Sequence, residues 1–360
     1  MGQRTKLPLA IAGLFIVLYS MAVLGFVATS PDLQLRCLIF ESASEQGVPI
    51  YPTPDMMCQG ELPRPGDVLL RIGESRIRTF LDFTHQLSEL RNAPIPPGGQ
   101  LHTNADPSEL SDSLPSIVEY PDGQRWVKIE FERLNQDGTT ERHTGSFLQV
   151  QSLPLSQVTL TFVWFVLQLG ILAFAALSFW NRPFDRSSRL FFAMCIVSLG
   201  AFVGGFHWWV IAASLWLNIP FVVCAVLVPA VLLHFFLVFP RPKQPLSKAP
   251  FWTLAGIYLL PGGVIVWFLW LLVNASRLQF REVSDANVES IRQALQSLYG
   301  GIYWYLVVAT IYFVLMLIAL WQSYRTARNP LERRQLIWIL GAGLVASPLI
   351  GYTLILALFQ

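Results

Sequence analysis

Histidine and cysteine are the residues best suited to metal binding or nucleophilic chemistry, and this chain holds five of the first and four of the second. Their spacing argues against both chemistries. His85, His102, His143, His207 and His234 form no ligand-like cluster, and no His-Glu-x-x-His occurs. Neither a Gly-x-Ser-x-Gly elbow nor a phosphate-cradling glycine loop is present. The sequence thus offers no catalytic constellation and no metal site, and it implies no cofactor. Cys37 and Cys58 share one polar stretch, where an oxidising exterior permits a disulfide worth on the order of 3 kcal/mol in the chain-entropy model. Cys195 and Cys224 fall in apolar runs and read as packing. "NAS" at Asn274–Ser276 is a formal glycosylation sequon.

The elements that must position such residues are mostly apolar. Hydrophobic residues make up 53% of the chain and charged ones only 13%, and twelve are Trp, a composition that excludes an ordinary soluble protein. A bilayer core of roughly 30 Å takes about 20 apolar residues in helix, because backbone groups in lipid must bond within their own segment. Runs of that kind predict seven transmembrane helices. They lie at Leu7–Ser30, Val158–Trp180, two within Leu190–Pro240, then Phe251–Val273, Gly301–Gln322 and Gln335–Phe359. "NIP" at Asn218–Pro220 is read as the break between the third and fourth.

Basic residues in short connections set orientation. With the N-terminus inside, the cytoplasmic segments "MGQRTK", "NRPFDRSSR", "PRPKQPLSK" and "SYRTARNPLERR" carry twelve Lys and Arg, against three in the short external connections. The expectation is a multi-pass membrane protein with its N-terminus inside and residues 31–155 extracytoplasmic. A cleaved signal peptide at the start is the competing reading, and it leaves those residues on the same side. Seven crossings would bring Gln360 to the outer side, which suggests a module cut from a longer chain.

Residues 31–155 hold ten basic and eighteen acidic residues, a net of −8, which argues against nucleic-acid partners. "RPGD" reads as a turn, "VLLRI" as a strand and "GES" as a second turn. "TFLDFTHQLSEL" spaces Phe80, Phe83, Leu87 and Leu90 on one helical face, with Thr79 as N-cap and Asp82 at the third position. "RWVKIEFERL" and "TERHTGSFLQV" alternate as paired strands around Asp137-Gly138. A Pro/Gly/Ser-containing insert spans about 92–124.

"PGDVLLRIGESRIRTFLDFTHQL" resembles the central motif of bacterial PDZ domains, and "GVPIYPTPDMMCQGEL" is similar to the strand and short helix that lead into it. The resemblance implies an α+β PDZ-like domain inserted between the first helix and a six-helix bundle at 156–360. It also implies recognition of a peptide or protein by strand addition, with Phe83, His85 and Leu87 as groove candidates. No Gly-Leu-Gly-Phe-type loop precedes "LQLRCLIF", so no carboxylate cradle is assigned.

"LLHFFLVFPRP" at Leu232–Pro242 and "RNPLERRQLIWILGAG" at Arg328–Gly343 resemble the membrane region of ComP-type sensor histidine kinases, whose input half carries a PDZ-like domain after the first helix. This implies signal-relay roles for His234, Arg328, Arg333 and Arg334, with interface packing and positive-inside anchoring as the plainer alternatives. It also implies a homodimer, for which Gly262-Gly263 and Gly341-x-Gly343 are candidate contacts. The phosphorylated His and the ATP-binding domain of those kinases are absent from these residues. The expected function is therefore a sensory input module for an extracellular peptide or protein. A membrane scaffold and a transporter are the rivals; the spans carry no ionisable residue beyond two histidines, which disfavours ion coupling.

Overall fold

The computed structural model describes residues 6–37, 47–99, 115–135, 137–152, 155–279, 285–327 and 329–359. Helix α1 (Lys6–Ala28) leads into a β-rich unit with strands β1 (Pro31–Asp32), β2 (Leu35–Arg36), β3 (Val48–Pro49), β4 (Tyr51–Pro52), β5 (Cys58–Gln59), β6 (Val68–Ile72) and β7 (Ser75–Arg76). Helix α2 (Phe80–Leu90) follows, then β8 (Ile117–Glu119), β9 (Arg125–Leu134) and β10 (Thr140–Ser152). The remainder is helical: α3 (Leu155–Asn181), α4 (Arg186–Phe206), α5 (Trp208–Ile211), α6 (Leu215–Val238), α7 (Gln244–Lys248), α8 (Pro250–Gln279), α9 (Asp285–Thr326) and α10 (Pro330–Phe359).

Several local signals of the β-rich unit form as the sequence predicts, whereas the stretch 47–62, expected to hold a strand and a short helix, forms β3, β4 and β5 joined by turns without a helix. Asp67 N donates to Arg64 O across the "RPGD" turn, where Gly66 takes the left-handed φ of +91° that a side chain would strain. Thr79 caps α2: its hydroxyl accepts from Asp82 N at 3.2 Å, and the Asp82 carboxylate accepts from Thr79 N at 2.9 Å. Strands β9 and β10 pair antiparallel from Thr140↔Leu134 onward, with a bulge between His143 and Ser146. The sheet runs β1-β10-β9-β6-β3, and the end of the predicted insert contributes β8, which pairs with β9. Residues 100–114 of that insert lie outside the described residues.

A buried ion cluster ties the turn to the hairpin. Arg133 Nη2 donates to Asp67 Oδ2 at 2.9 Å and to Leu62 O at 2.7 Å, and Nη1 to Glu61 Oε1 at 2.7 Å. The Asp67 carboxylate also accepts from Arg64 N at 2.8 Å, so its charge is fully engaged. Its hydrogen bond to Asp67 raises the Arg133 pKa, and the guanidinium holds Glu61 below the usual carboxylate range.

Among the described residues six helices are long and apolar enough to cross a membrane: Leu7–Ala28, Thr159–Asn181, Arg186–Phe206, Leu215–Val238, Pro250–Leu278 and Asn287–Thr326. The break between the third and fourth corrects the expectation at Asn218–Pro220. It falls instead at 207–214, where α4 ends beside Gly204-Gly205 and extended Ser214 starts α6. Pro220 sits early enough in α6 to be accommodated within its first turns. Within the chain, close helix contacts form at three further glycines. A Cβ on Gly200 would stand 2.6 Å from Cys224 Sγ, one on Gly204 2.7 Å from Phe221, and one on Gly301 2.7 Å from Phe268. Gly262, Gly263 and Gly341 face open space, and Gly343 meets only Leu317.

The basic connections cluster at the end of the bundle away from the β-rich unit. Arg241 meets Glu332 there at 3.2 Å. Lys243 caps α6 by donating to the carbonyls of Phe236 and Phe239, the latter at 2.9 Å, while burial pulls its pKa down to about 8.

Candidate functional site at the junction of domain and bundle

Helix α9 has 42 residues, about 63 Å of helix and roughly twice a hydrocarbon core. Trp304 and Trp321 are about 26 Å apart along it, a separation close to the thickness of a hydrocarbon core. The segment before Gly301, read from sequence as a connection between spans, is helix: Leu298 still packs in the bundle, and the turns before it reach the inserted domain. Its apolar residues Val288, Ile291, Leu295 and Leu298 recur at helical spacing between polar ones and are buried.

Two of them, Ile291 and Leu295, share a core with α2. That core includes Phe80, Phe83, Leu87, Leu90, Ile129 and Phe131, and Leu278 of α8 packs against it. Phe80 stacks on Trp208 at 5.8 Å between ring centroids. Arg292 Nη2 donates to Arg78 O at 3.4 Å. Arg36 lies 4.0 Å over the ring of Trp209 and is held there by Asp32, whose two oxygens each accept from the guanidinium at 2.9 Å. The inserted domain is thus seated on the bundle through one continuous apolar core with a charged edge.

Beneath Phe80 and Leu81 the helices leave a cavity of about 450 Å³ lined by Phe221, Val222, Phe268 and Leu298, with Asn218 at its polar end. A smaller one of about 290 Å³ adjoins it and shares Leu81, Asn218 and Leu295. The junction is therefore incompletely filled by the chain's own side chains.

The residues singled out from sequence do not converge on one site. Phe83 and Leu87 are 2% and 5% exposed, members of the core rather than the wall of an open groove. His85 points away from them because two residues along a helix is about half a turn, and its Nδ1 lies 3.5 Å from Glu89 Oε1. The disulfide permitted between Cys37 and Cys58 is not formed: Cys37 is buried, which pushes its thiol pKa up, and Cys58 Sγ donates to Glu61 O at 3.4 Å. His234 Nδ1 meets Tyr258 Oη at 2.9 Å, joining α6 to α8. Arg333 donates to Tyr324 Oη at 3.1 Å and lies over that ring, joining α10 to α9. Arg334 is exposed, and Arg328 and His102 lie outside the described residues.

No group of three or more metal-ligating side chains occurs among the described residues. His207 meets Thr161 Oγ1 at 3.0 Å and His143 stacks on Phe131, both as packing partners. The residues missed from sequence are Arg36, Trp208, Ile291 and Leu295. The spacing of Val288, Ile291, Leu295 and Leu298 was a legible signal for the last two; nothing local marks the first two. Comparisons with family profiles, with curated proteins and with solved structures find no match to this chain. What stands is the architecture of a multi-pass membrane protein: six long apolar helices carrying an inserted α+β unit.

Proposed function

We propose that this chain is the sensory input module of a bacterial transmembrane receptor, in which an extracellular peptide or protein engages the inserted domain. The movement reaches the basic end of a seven-helix bundle, with α10 as the seventh span. The observation that carries the reading is the shared core of α2 and α9. A ligand that changes the packing of α2 must also move Ile291 and Leu295, and α9 continues unbroken from there to Thr326. Such a ligand acts only through a difference in affinity between two packings; a tenfold preference contributes about 1.4 kcal/mol.

Hydrogen–deuterium exchange on the chain in nanodiscs, with and without fractionated extracellular peptides, tests this. The expected result is altered exchange both in residues 47–99 and around residues 322–335. Changes confined to the inserted domain would favour the scaffold reading. Absence of change with every fraction would overturn the proposal.

A further inference from the structure

At the opposite end of the molecule, α1, α4, α6, α7 and α8 line an open cavity of about 750 Å³ with two unlike sets of side chains. One is apolar, formed by Leu9, Leu246 and Leu254; the other carries Arg186, Arg189 and His234. No carboxylate lines it. Asp185, nearest in sequence, spends its oxygens on the N-terminus of α4, accepting from Ser187 N, Ser188 N and Ser188 Oγ. Glu332 is engaged by Arg241.

The arginines are left with charge to satisfy. Arg189 Nε is buried and has no acceptor, and among the described residues neither Arg186 nor Arg189 forms an ion pair. Arg186 is exposed and Arg189 half-buried, so two cations without an acidic partner stand together at the cavity, where one anion can pair with both. His234 uses Nδ1 on Tyr258, which leaves Nε2 for a further partner. The cavity lies where α1, α4 and α8 begin and α6 ends, at the level where lipid headgroups meet hydrocarbon. Basic pockets between transmembrane helices suit anionic lipid heads, and guanidinium forks match phosphate oxygens.

We propose that this cavity binds an anionic phospholipid, its phosphate on Arg186 and Arg189 and one acyl chain along Leu9, Leu246 and Leu254. The site is independent of the sensory reading. Native mass spectrometry of the purified chain tests it, using phosphatidylglycerol, phosphatidylcholine and inorganic phosphate as probes. Wild type is expected to retain phosphatidylglycerol over phosphatidylcholine, and the R186Q/R189Q double variant to lose roughly tenfold or more of that retention. Arg182→Gln, outside the cavity, is expected to retain it as wild type does. Leu254→Trp, which fills the apolar wall and keeps both charges, is expected to weaken it as well. Equal retention by wild type and a helical, folded double variant would overturn the assignment. Capture of inorganic phosphate with no preference between the two lipids would overturn the lipid part of it.

Discussion

The inserted domain and the helix bundle bury their residues by different rules. In the domain, water on one side and core on the other impose alternation. Strand β9 shows it plainly, with Val127, Ile129 and Phe131 fully buried and Lys128, Glu130 and Glu132 turned outward. In the bundle the solvent on the far side is lipid, and apolar residues occupy every face. Over an 18-residue apolar stretch of each helix, 22% of residues are buried inside the protein in α3 against 44% in α6, yet both read as uniformly hydrophobic. An inward face is therefore marked in the domain by hydrophobicity. In the bundle it is marked by small residues, at Gly200, Gly204 and Gly301.

That contrast can be broken at its strongest points. In the domain, Asp67→Ala strips Arg133 of its buried counter-charge and is expected to destabilise the fold by about 3–5 kcal/mol, measured by chemical unfolding of the chain in detergent micelles. At the junction, Ile291→Ala removes a side chain from the shared core and should cost about 2–4 kcal/mol. Because the loss falls on both partners, limited proteolysis should speed up in residues 47–99 as well as in the N-terminal part of α9. If only α9 became susceptible, the two regions would be energetically separate. In the bundle, Gly204→Val drives methyl groups into Phe221 and is expected to cost about 1–3 kcal/mol, whereas Gly262→Val, in open space, should leave helix packing unchanged. Thermal unfolding followed by Trp fluorescence distinguishes them.

Smaller effects sharpen the comparison. Thr79→Ala removes the α2 cap and should cost about 1 kcal/mol. Glu61 has its pKa depressed by Arg133, so its contribution is present above the unfolded carboxylate pKa of about 4.3 and is lost as pH falls through the lower folded value. Acidification should therefore loosen the domain, and Glu61→Gln should reduce that pH dependence in thermal unfolding curves. Among the described residues the six apolar spans contain no ion pair, so the melting of the bundle should respond less to acid.

Local chemistry made much of this protein legible in advance. Lipid demands long apolar helices and water demands amphipathic ones, so the six apolar helices, the capping box at Thr79, the "RPGD" turn and the hairpin at Asp137-Gly138 follow from residue types and spacing alone. Tertiary structure decided what those segments meet. The face of Phe83 and Leu87 could have lined a groove or entered a core, and the start of α9 determined that it is core. Cys37 and Cys58 share a stretch of sequence, but the sheet directs one inward and the other to a backbone carbonyl. Arg189 reads as one of many anchoring arginines until the helices around it show a cavity and no acid. Each outcome depends on partners distant in the chain, and a contact between distant segments leaves no periodicity in either one.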